Sequence, residues 1–365
     1  KQFIVYTRID GGGFDNGVIV NKNEFEIKNL EKGKIFSFKV TAVNEGGESF
    51  PSEILSVYRS KKNSPQVMIV NGFDRLAGPA TVDEENYKGF INYYDAGVQD
   101  KIDFHFTGEQ YDFDPNSKFI TNDSPGHGSS FSNYETKIIA GNSFDYPYLH
   151  GLSIKNLDYT FVSSSDEAVE NGYVNLSNYV LVNLILGEEK KTKWQKSFAD
   201  SLHGIQFEIF STSMIDKIKN YLNSGGNLFL SGAYVGRDLF ENQKDSSLIK
   251  FAESVLKFSW VTGFASREGE VFSVNKNFIP NFTFNTKLDS KIYQVEAPDA
   301  IKPINGSELL FRYYENSFSA GIGYNKEYGL IVLGFPFETI LDQTSRNLLM
   351  KNSFDYLGVD KKRKK

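Results

Sequence analysis

The sequence predicts two unlike parts: a partial all-β sandwich over residues 1–60, and an α/β domain with a mainly parallel sheet over residues 67–360, joined by a linker at 61–66. Three observations carry that division. In the first part apolar and polar side chains alternate between turn clusters, and Phe36, Phe38, Val40 and Ala42 fall on one face, as in a strand buried on one side. From Val67 onward the apolar runs are short and unbroken, the look of strands covered on both faces, and they alternate with segments of helical spacing. Between the parts, Arg59-Ser60-Lys61-Lys62-Asn63-Ser64-Pro65 is polar, charged and closed by proline.

In the first part, residues 3–9 are rich in β formers and run into the turn Asp10-Gly11-Gly12-Gly13. Residues 17–20 and 24–27 alternate, and Leu30-Glu31-Lys32-Gly33-Lys34-Ile35-Phe36 leads into the strand signal Ser37-Phe38-Lys39-Val40-Thr41-Ala42-Val43-Asn44. A further turn, Glu45-Gly46-Gly47-Glu48-Ser49, precedes a last strand at 54–58. Four or five strands are too few for a complete sandwich, which takes about seven. The missing strands are expected from upstream residues of the same polypeptide or from a partner protein.

In the second part, Val67-Met68-Ile69-Val70-Asn71-Gly72 reads as a buried strand, and so does Tyr179-Val180-Leu181-Val182-Asn183-Leu184-Ile185-Leu186-Gly187, interrupted only by Asn183. Ile215, Ile218 and Leu222 have helical spacing, with Ser213 as the expected cap and Gly225-Gly226 as the stop. Asn227-Leu228-Phe229-Leu230-Ser231-Gly232 and Gly329-Leu330-Ile331-Val332-Leu333-Gly334 are two more strands; helices are expected at 246–258 and 344–357. Residues 261–316 read as short strands and loops, an insertion or an antiparallel extension.

Composition narrows the chemistry. The 365 residues carry a net charge of -6 and no cysteine, which removes disulfides, thiolate nucleophiles and cysteine-held metals together. An acidic balance argues against nucleic acid as a partner, and the basic run at 361–365 reads as a solvated terminus. No apolar run approaches the roughly 20 residues of a membrane helix. No phosphate or dinucleotide fingerprint occurs, so neither cofactor nor metal is expected. Asp112, Asp114, Asn116 and Asp123 have a calcium-loop cadence, but Ser117 stands at the turn position and Pro115 stiffens the loop; a solvated acidic turn accounts for them.

Two constellations remain. Gly232-Ala233-Tyr234-Val235-Gly236 follows a strand and precedes Arg237-Asp238-Leu239-Phe240, the layout of an elbow that lifts its middle side chain above a sheet. A tyrosine near pKa 10 is a poor nucleophile without activation, so Tyr234 and Arg237 read as scaffold or ligand contacts. His127 and His150 lie in glycine- and aromatic-rich segments with Asp145 close by in sequence. They read either as braces between two loops or as a cluster that could bind a metal or serve as acid and base.

These residues support resemblances. Leu30, Gly33, Phe36, Val40-Thr41-Ala42-Val43-Asn44 and Gly46-Gly47-Glu48-Ser49 resemble the later strands of a fibronectin type III domain. The elbow, with Gly334-Phe335-Pro336-Phe337-Glu338, resembles a class I glutamine amidotransferase-like (flavodoxin-like) domain whose cysteine is replaced by Tyr234 and whose partner pair keeps only Glu338. With Val70-Asn71-Gly72-Phe73-Asp74-Arg75, Pro125-Gly126-His127-Gly128, Gly141-Asn142-Ser143-Phe144-Asp145-Tyr146 and Phe161-Val162-Ser163-Ser164-Ser165-Asp166 added, the set resembles the C-terminal region of exported Bacteroidetes-type proteins labelled xanthan lyase or N-acetylmuramoyl-L-alanine amidase. The resemblance implies an extracytoplasmic pseudoenzyme-like accessory region, with a glycan as a candidate ligand. Two alternatives stand beside it: a hydrolase or lyase acting through His127, Asp145 and His150, and a structural subunit of a cell-surface assembly.

Overall fold

The computed structural model describes residues 2–45, 47–48, 51–73, 81–83, 88–90, 116, 118, 145–189, 192–193, 205–206, 209–241, 246–287, 292–293, 295 and 297–359. Five short strands come first: β1 (Gln2–Ile9), β2 (Val18–Val20), β3 (Ile35–Asn44), β4 (Gly47–Glu48) and β5 (Leu55–Tyr58). The apolar run after Pro65 forms β6 (Gln66–Asn71), and β7 (Thr81–Asp83) and β8 (Lys88–Phe90) make a separate hairpin. Then follow α1 (Tyr146–Asn156), β9 (Thr160–Ser165), α2 (Asp166–Glu170), β10 (Leu181–Gly187) and a small ladder of β11 (Thr192–Lys193) with β12 (Ile205–Gln206). Next come α3 (Thr212–Asn223), β13 (Asn227–Gly232), α4 (Arg237–Phe240) and α5 (Ser246–Ser254). The last third holds β14 (Phe258–Thr262), β15 (Glu270–Ser273), β16 (Asn281–Thr283), β17 (Ala300–Pro303), β18 (Glu308–Tyr313), β19 (Ser319–Asn325), β20 (Gly329–Leu333) and α6 (Gln343–Leu357).

Fourteen of these strands form one mixed sheet in the order β16-β15-β18-β19-β20-β13-β10-β6-β9-β5-β3-β1-β2, with β4 attached to β3. The expected division, a partial fibronectin-like sandwich followed by a separate amidotransferase-like or flavodoxin-like domain with a mainly parallel sheet, is therefore corrected. Strands from both parts lie in the one fourteen-stranded sheet. Five neighbours (β9, β6, β10, β13 and β20) run parallel, and antiparallel strands continue from both sides of them. The physical reason is edge satisfaction. A parallel block ending at β9 and a β-meander ending at β5 would each leave a row of unpaired backbone groups, and placing them side by side covers both.

That seam is made more by side chains than by backbone. One ladder pair, Tyr58 with Phe161, joins β5 to β9. Beyond it the Ser56 N–H donates to Ser163 Oγ at 2.6 Å, and Ser163 Oγ–H donates back to the Ser56 carbonyl at 2.7 Å. The Ser60 N–H donates to Thr160 Oγ1, while Ser60 and Tyr58 hydroxyls both donate to Asp158. The rings of Tyr58 and Phe161 stack at 5.9 Å across the join.

Helix α1 lies over the same seam. Gly151 lets it approach closely, since a Cβ there would sit 2.3 Å from the Phe161 ring. Asp145, just ahead of α1, receives two hydrogen bonds from the Arg8 guanidinium of β1, at 2.6 and 2.8 Å. Arg8 is also flanked by Tyr148 and Phe14, its guanidinium carbon 4.7 and 5.0 Å from their ring centroids. Two local expectations shift as well. Ser211, not Ser213, caps α3 by accepting from the Met214 N–H at 3.0 Å, and the helix expected over 246–258 ends at Ser254 so that β14 can begin at Phe258.

Replacing Arg8 by alanine removes the bidentate partner of a partly buried carboxylate. Complete burial of such a pair makes its breakage cost about 3–5 kcal/mol. With side chains still 11% and 29% exposed, the expected loss is about 2–3 kcal/mol. Urea unfolding of Arg8→Ala against the wild type measures it, and an Arg8→Lys variant should recover less than half, since ammonium cannot make the fork.

Candidate functional site

The C-terminal ends of parallel strands are where α/β sheets place ligands, above all where the connections reverse direction. Here the chain runs from β6 outward to β9 and then back across to β10, so the ends of β6 and β10 flank the reversal. Four segments meet along this edge: Asn71-Gly72-Phe73 after β6, Gly187-Glu188-Glu189 after β10, Gly232-Ala233-Tyr234 after β13, and Gly334-Phe335-Pro336-Phe337-Glu338 after β20.

The edge is held by a buried polar chain. Asn183 in β10 bonds His150 Nδ1 through its side-chain amide, with Nδ2 at 2.9 Å. His150 Nε2 lies 3.2 Å from Glu338 Oε2, and the Tyr293 hydroxyl donates to Glu338 Oε1 at 2.8 Å. Asn183 Oδ1 also lies 3.2 Å from Nδ1, so one ring nitrogen faces an amide and the other a carboxyl group. All four residues are 2% exposed or less. The polar groups of four elements thus satisfy one another inside the core.

An aromatic cluster surrounds the chain. Phe73 stacks on Tyr146 at 5.6 Å, and Tyr293 stands edge-on to both, at 5.4 and 5.5 Å. The turn at Gly187 makes room: its φ is +49°, and a Cβ there would be 2.0 Å from Phe73. Burial, together with the nearby Glu338 and Glu188 carboxylates, holds the Tyr146 and Tyr293 hydroxyls well above their ordinary pKa. Both stay protonated at neutral pH, and Tyr293 donates to Glu338.

Tyr234 follows β13 directly, in the turn before α4, and is 1% exposed. The Arg237 guanidinium lies 5.8 Å from its ring and 5.3 Å from that of Phe264, and is paired with Glu241. Asp299 fastens this turn. Its carboxylate accepts from the Gly236 and Arg237 N–H groups at 2.6 and 3.0 Å and from Trp260 Nε1 at 2.8 Å. Complete burial outweighs those three donors and pushes the Asp299 carboxyl up to about 8.

His150 and Glu338 thus meet at 3.2 Å, Tyr234 and Arg237 lie apart from them in the turn and helix after β13, and Asp145 is engaged by Arg8 of β1. His127 lies outside the described residues, as do His105, His203, Asp112, Asp114, Asp123 and the basic run at 361–365. Asn183, Tyr293 and Asp299 were not anticipated as members. Asn183 had a signal, a lone amide in an apolar run. Asp299 had a fainter one, an isolated carboxyl between Pro298 and Ala300-Ile301. Tyr293 had none. Among the described residues no group of three or more His, Asp or Glu is arranged to hold a metal, and no helix is long and apolar enough to cross a membrane.

A second feature lies on the flank. The face of β1, β2 and β3 is the floor of a groove of about 640 Å³, lined by Phe3, Val5, Val20, Phe38 and Val40 and walled by Phe25, Ile27 and Leu30 together with the polar Lys22, Asn23 and Glu24. Among the described residues strand β2 is the outer edge of the sheet, and Val18 and Ile19 on it are 48% and 61% exposed.

The raised Asp299 carboxyl has a testable sign. Its proton is held more tightly in the folded state, so its stabilisation is complete below the ordinary carboxylate pKa and lost as pH rises through about 8. Urea midpoints should fall between pH 5 and pH 8, by up to about 1.4 kcal/mol per pH unit for this one proton. Asp299→Asn should lower stability overall and lose that part of the slope.

No protein-family profile matches the chain, and no curated protein does. Nine chains of solved structures match, among them the exo-beta-1,4-mannosidase Op5Man5 from Opitutaceae bacterium strain TAV5. That match has a TM-score of 0.34 and 8% identity, and covers 58% of this chain and 30% of the mannosidase chain.

Proposed function

We propose that this chain is a non-catalytic interaction region of a larger exported protein tied to cell-wall or polysaccharide processing, and that it engages an extended protein segment through the groove on β1–β3. The observation that carries the reading is the pairing of an open apolar sheet face with an exposed strand edge. An extended segment laid along β2 gains backbone hydrogen bonds from the edge and sends alternate side chains toward the apolar floor, the mode of strand addition. Among the described residues, by contrast, His150, Glu338 and Tyr234 are buried. Tyr234 is enclosed, and Glu338 is occupied by His150 and Tyr293. The link to cell-wall or polysaccharide work and the extracytoplasmic location rest on the resemblance of the motif set.

A fluorescein-labelled heptapeptide alternating valine with threonine or lysine is the probe. It should bind the protein in fluorescence anisotropy, while a peptide of the same composition with its valines adjacent should not. Phe38→Glu places a charge on the apolar floor and should weaken binding at least about tenfold, and His150→Ala should leave it unchanged if the variant folds. In parallel, the wild type should release no product from peptidoglycan or xanthan. Product release that disappears in His150→Ala or Glu338→Gln would replace this reading with a hydrolase or lyase.

A further inference from the structure

The segment leading into β5 reaches across to the end of β6. Asn71, the last residue of β6, is fully buried, and its Nδ2 donates to Glu53 Oε2. Its Oδ1 is also buried and has no hydrogen-bond partner. An acceptor left without a donor in the interior is uncommon in native structures. The group already bonded to the same amide is a carboxyl, and a single proton on it would supply the missing donor. A carboxylic acid and a primary amide pair through two hydrogen bonds in one ring, N–H to acid carbonyl and O–H to amide oxygen, whereas a carboxylate has only acceptors to offer.

The surroundings favour that proton. Glu53 is half-buried, and its carboxyl meets a completely buried side chain. The charged group acting on it is Glu167, in the first turn of α2. Asp166, next to it, lies against Gly72, its Oδ2 3.7 Å from where a Cβ on that glycine would sit. Burial and the Glu167 carboxylate push the Glu53 carboxyl up to about 7, against the opposing pull of the Asn71 N–H.

We propose that Glu53 and Asn71 form a proton-operated latch. With the carboxyl protonated, the two close as an acid–amide pair that fastens the antiparallel flank to the end of β6. With the carboxyl ionised, Oδ1 is again without a donor, Glu167 repels the new charge, and the flank loosens. The position gives the latch leverage: two residues after Glu53 the chain enters β5, through which β3, β1 and β2 are attached to the rest of the sheet. The inference concerns how the groove-bearing strands are mounted and does not depend on what fills the groove.

The sign follows from the raised value. The stabilisation is complete below the ordinary glutamate pKa and is lost as pH rises through about 7. Hydrogen exchange of the β5 amides, corrected for the intrinsic rate at each pH, reads it in the intact protein, with β19 as reference for changes in the whole molecule. Protection of β5 relative to β19 should fall at least about tenfold between pH 5 and pH 7.5 and level off above. In Glu53→Gln the carboxamide offers both a donor and an acceptor at every pH, so the relative protection should be flat and as high at pH 7.5 as the wild type at pH 5. A flat wild-type profile, or a Glu53→Gln profile that falls like the wild type, overturns the latch. Should Glu53→Gln not fold, Asn71→Leu, which removes both ends of the amide, decides in its place: a fall unchanged from the wild type overturns the proposal, and loss of the fall supports it.

Discussion

Backbone hydrogen bonding at the outer edge of β9 is the constraint on which the antiparallel flank β1–β5 depends. A five-strand parallel block must either end in solvent or be continued, and β5 continues it with a single ladder pair. Serine and threonine hydroxyls stand in for much of the remaining ladder: Ser163 serves both the N–H and the carbonyl of Ser56, and Thr160 accepts from Ser60. Each such bond contributes only about 1 kcal/mol net, so the seam needs what lies above it. Helix α1 supplies this through the Phe161 contact at Gly151 and the Arg8–Asp145 fork. The flank is held on by many modest polar contacts. The parallel strands are held by a continuous apolar core, in which Val67, Ile69, Leu181, Ile185, Phe229, Leu230 and Ile331 have no exposed surface.

The same contrast explains the buried polar chain. Placing Asn183, His150, Glu338 and Tyr293 in an otherwise apolar interior is tolerable because each polar end meets another within hydrogen-bond distance. Such a chain is unforgiving of partial change, since deleting one member strands the next, and it fixes how α1, β10, the segment around Tyr293 and the turn after β20 sit together. Asp299 does similar work at the neighbouring turn, where one carboxylate gathers three N–H donors from two separate segments.

Much of the local structure was legible in the residues, and the reasons are specific. Apolar runs at 67–70 and 228–230, and the run at 181–186 broken only by Asn183, read as strands covered on both faces, and the glycine spacing at 232–236 marked the turn after β13. The extent of the sheet was not legible. Alternation in Phe36, Phe38, Val40 and Ala42 states that one face is buried, and is silent on which strands lie alongside. The polar stretch 59–65 reads as a linker because its residues are hydrophilic; in the fold Ser60 and Ser64 spend that polarity on Thr160 and Asp158, sewing the two parts together. Partners of this kind sit about a hundred residues apart, and single-residue patterns carry no record of them. For the same reason His150 could be noticed but not its neighbours, because Asn183, Tyr293 and Glu338 come together only through the crossing of α1 over the sheet.

That separation along the chain has a consequence in time. Tyr58 and its acceptor Asp158 are 100 residues apart. At about 5–20 residues per second of synthesis, the first strands emerge some 5–20 seconds before β9 exists to receive them. During that interval β1, β3 and β5 can form their hairpins but present two bare edges and an uncovered apolar face, the conditions under which nascent chains associate with each other or with chaperones. Maturation of the protein is thus paced by the arrival of a six-residue strand, β9, and slow codons between β5 and β9 would lengthen the most vulnerable stage of its life.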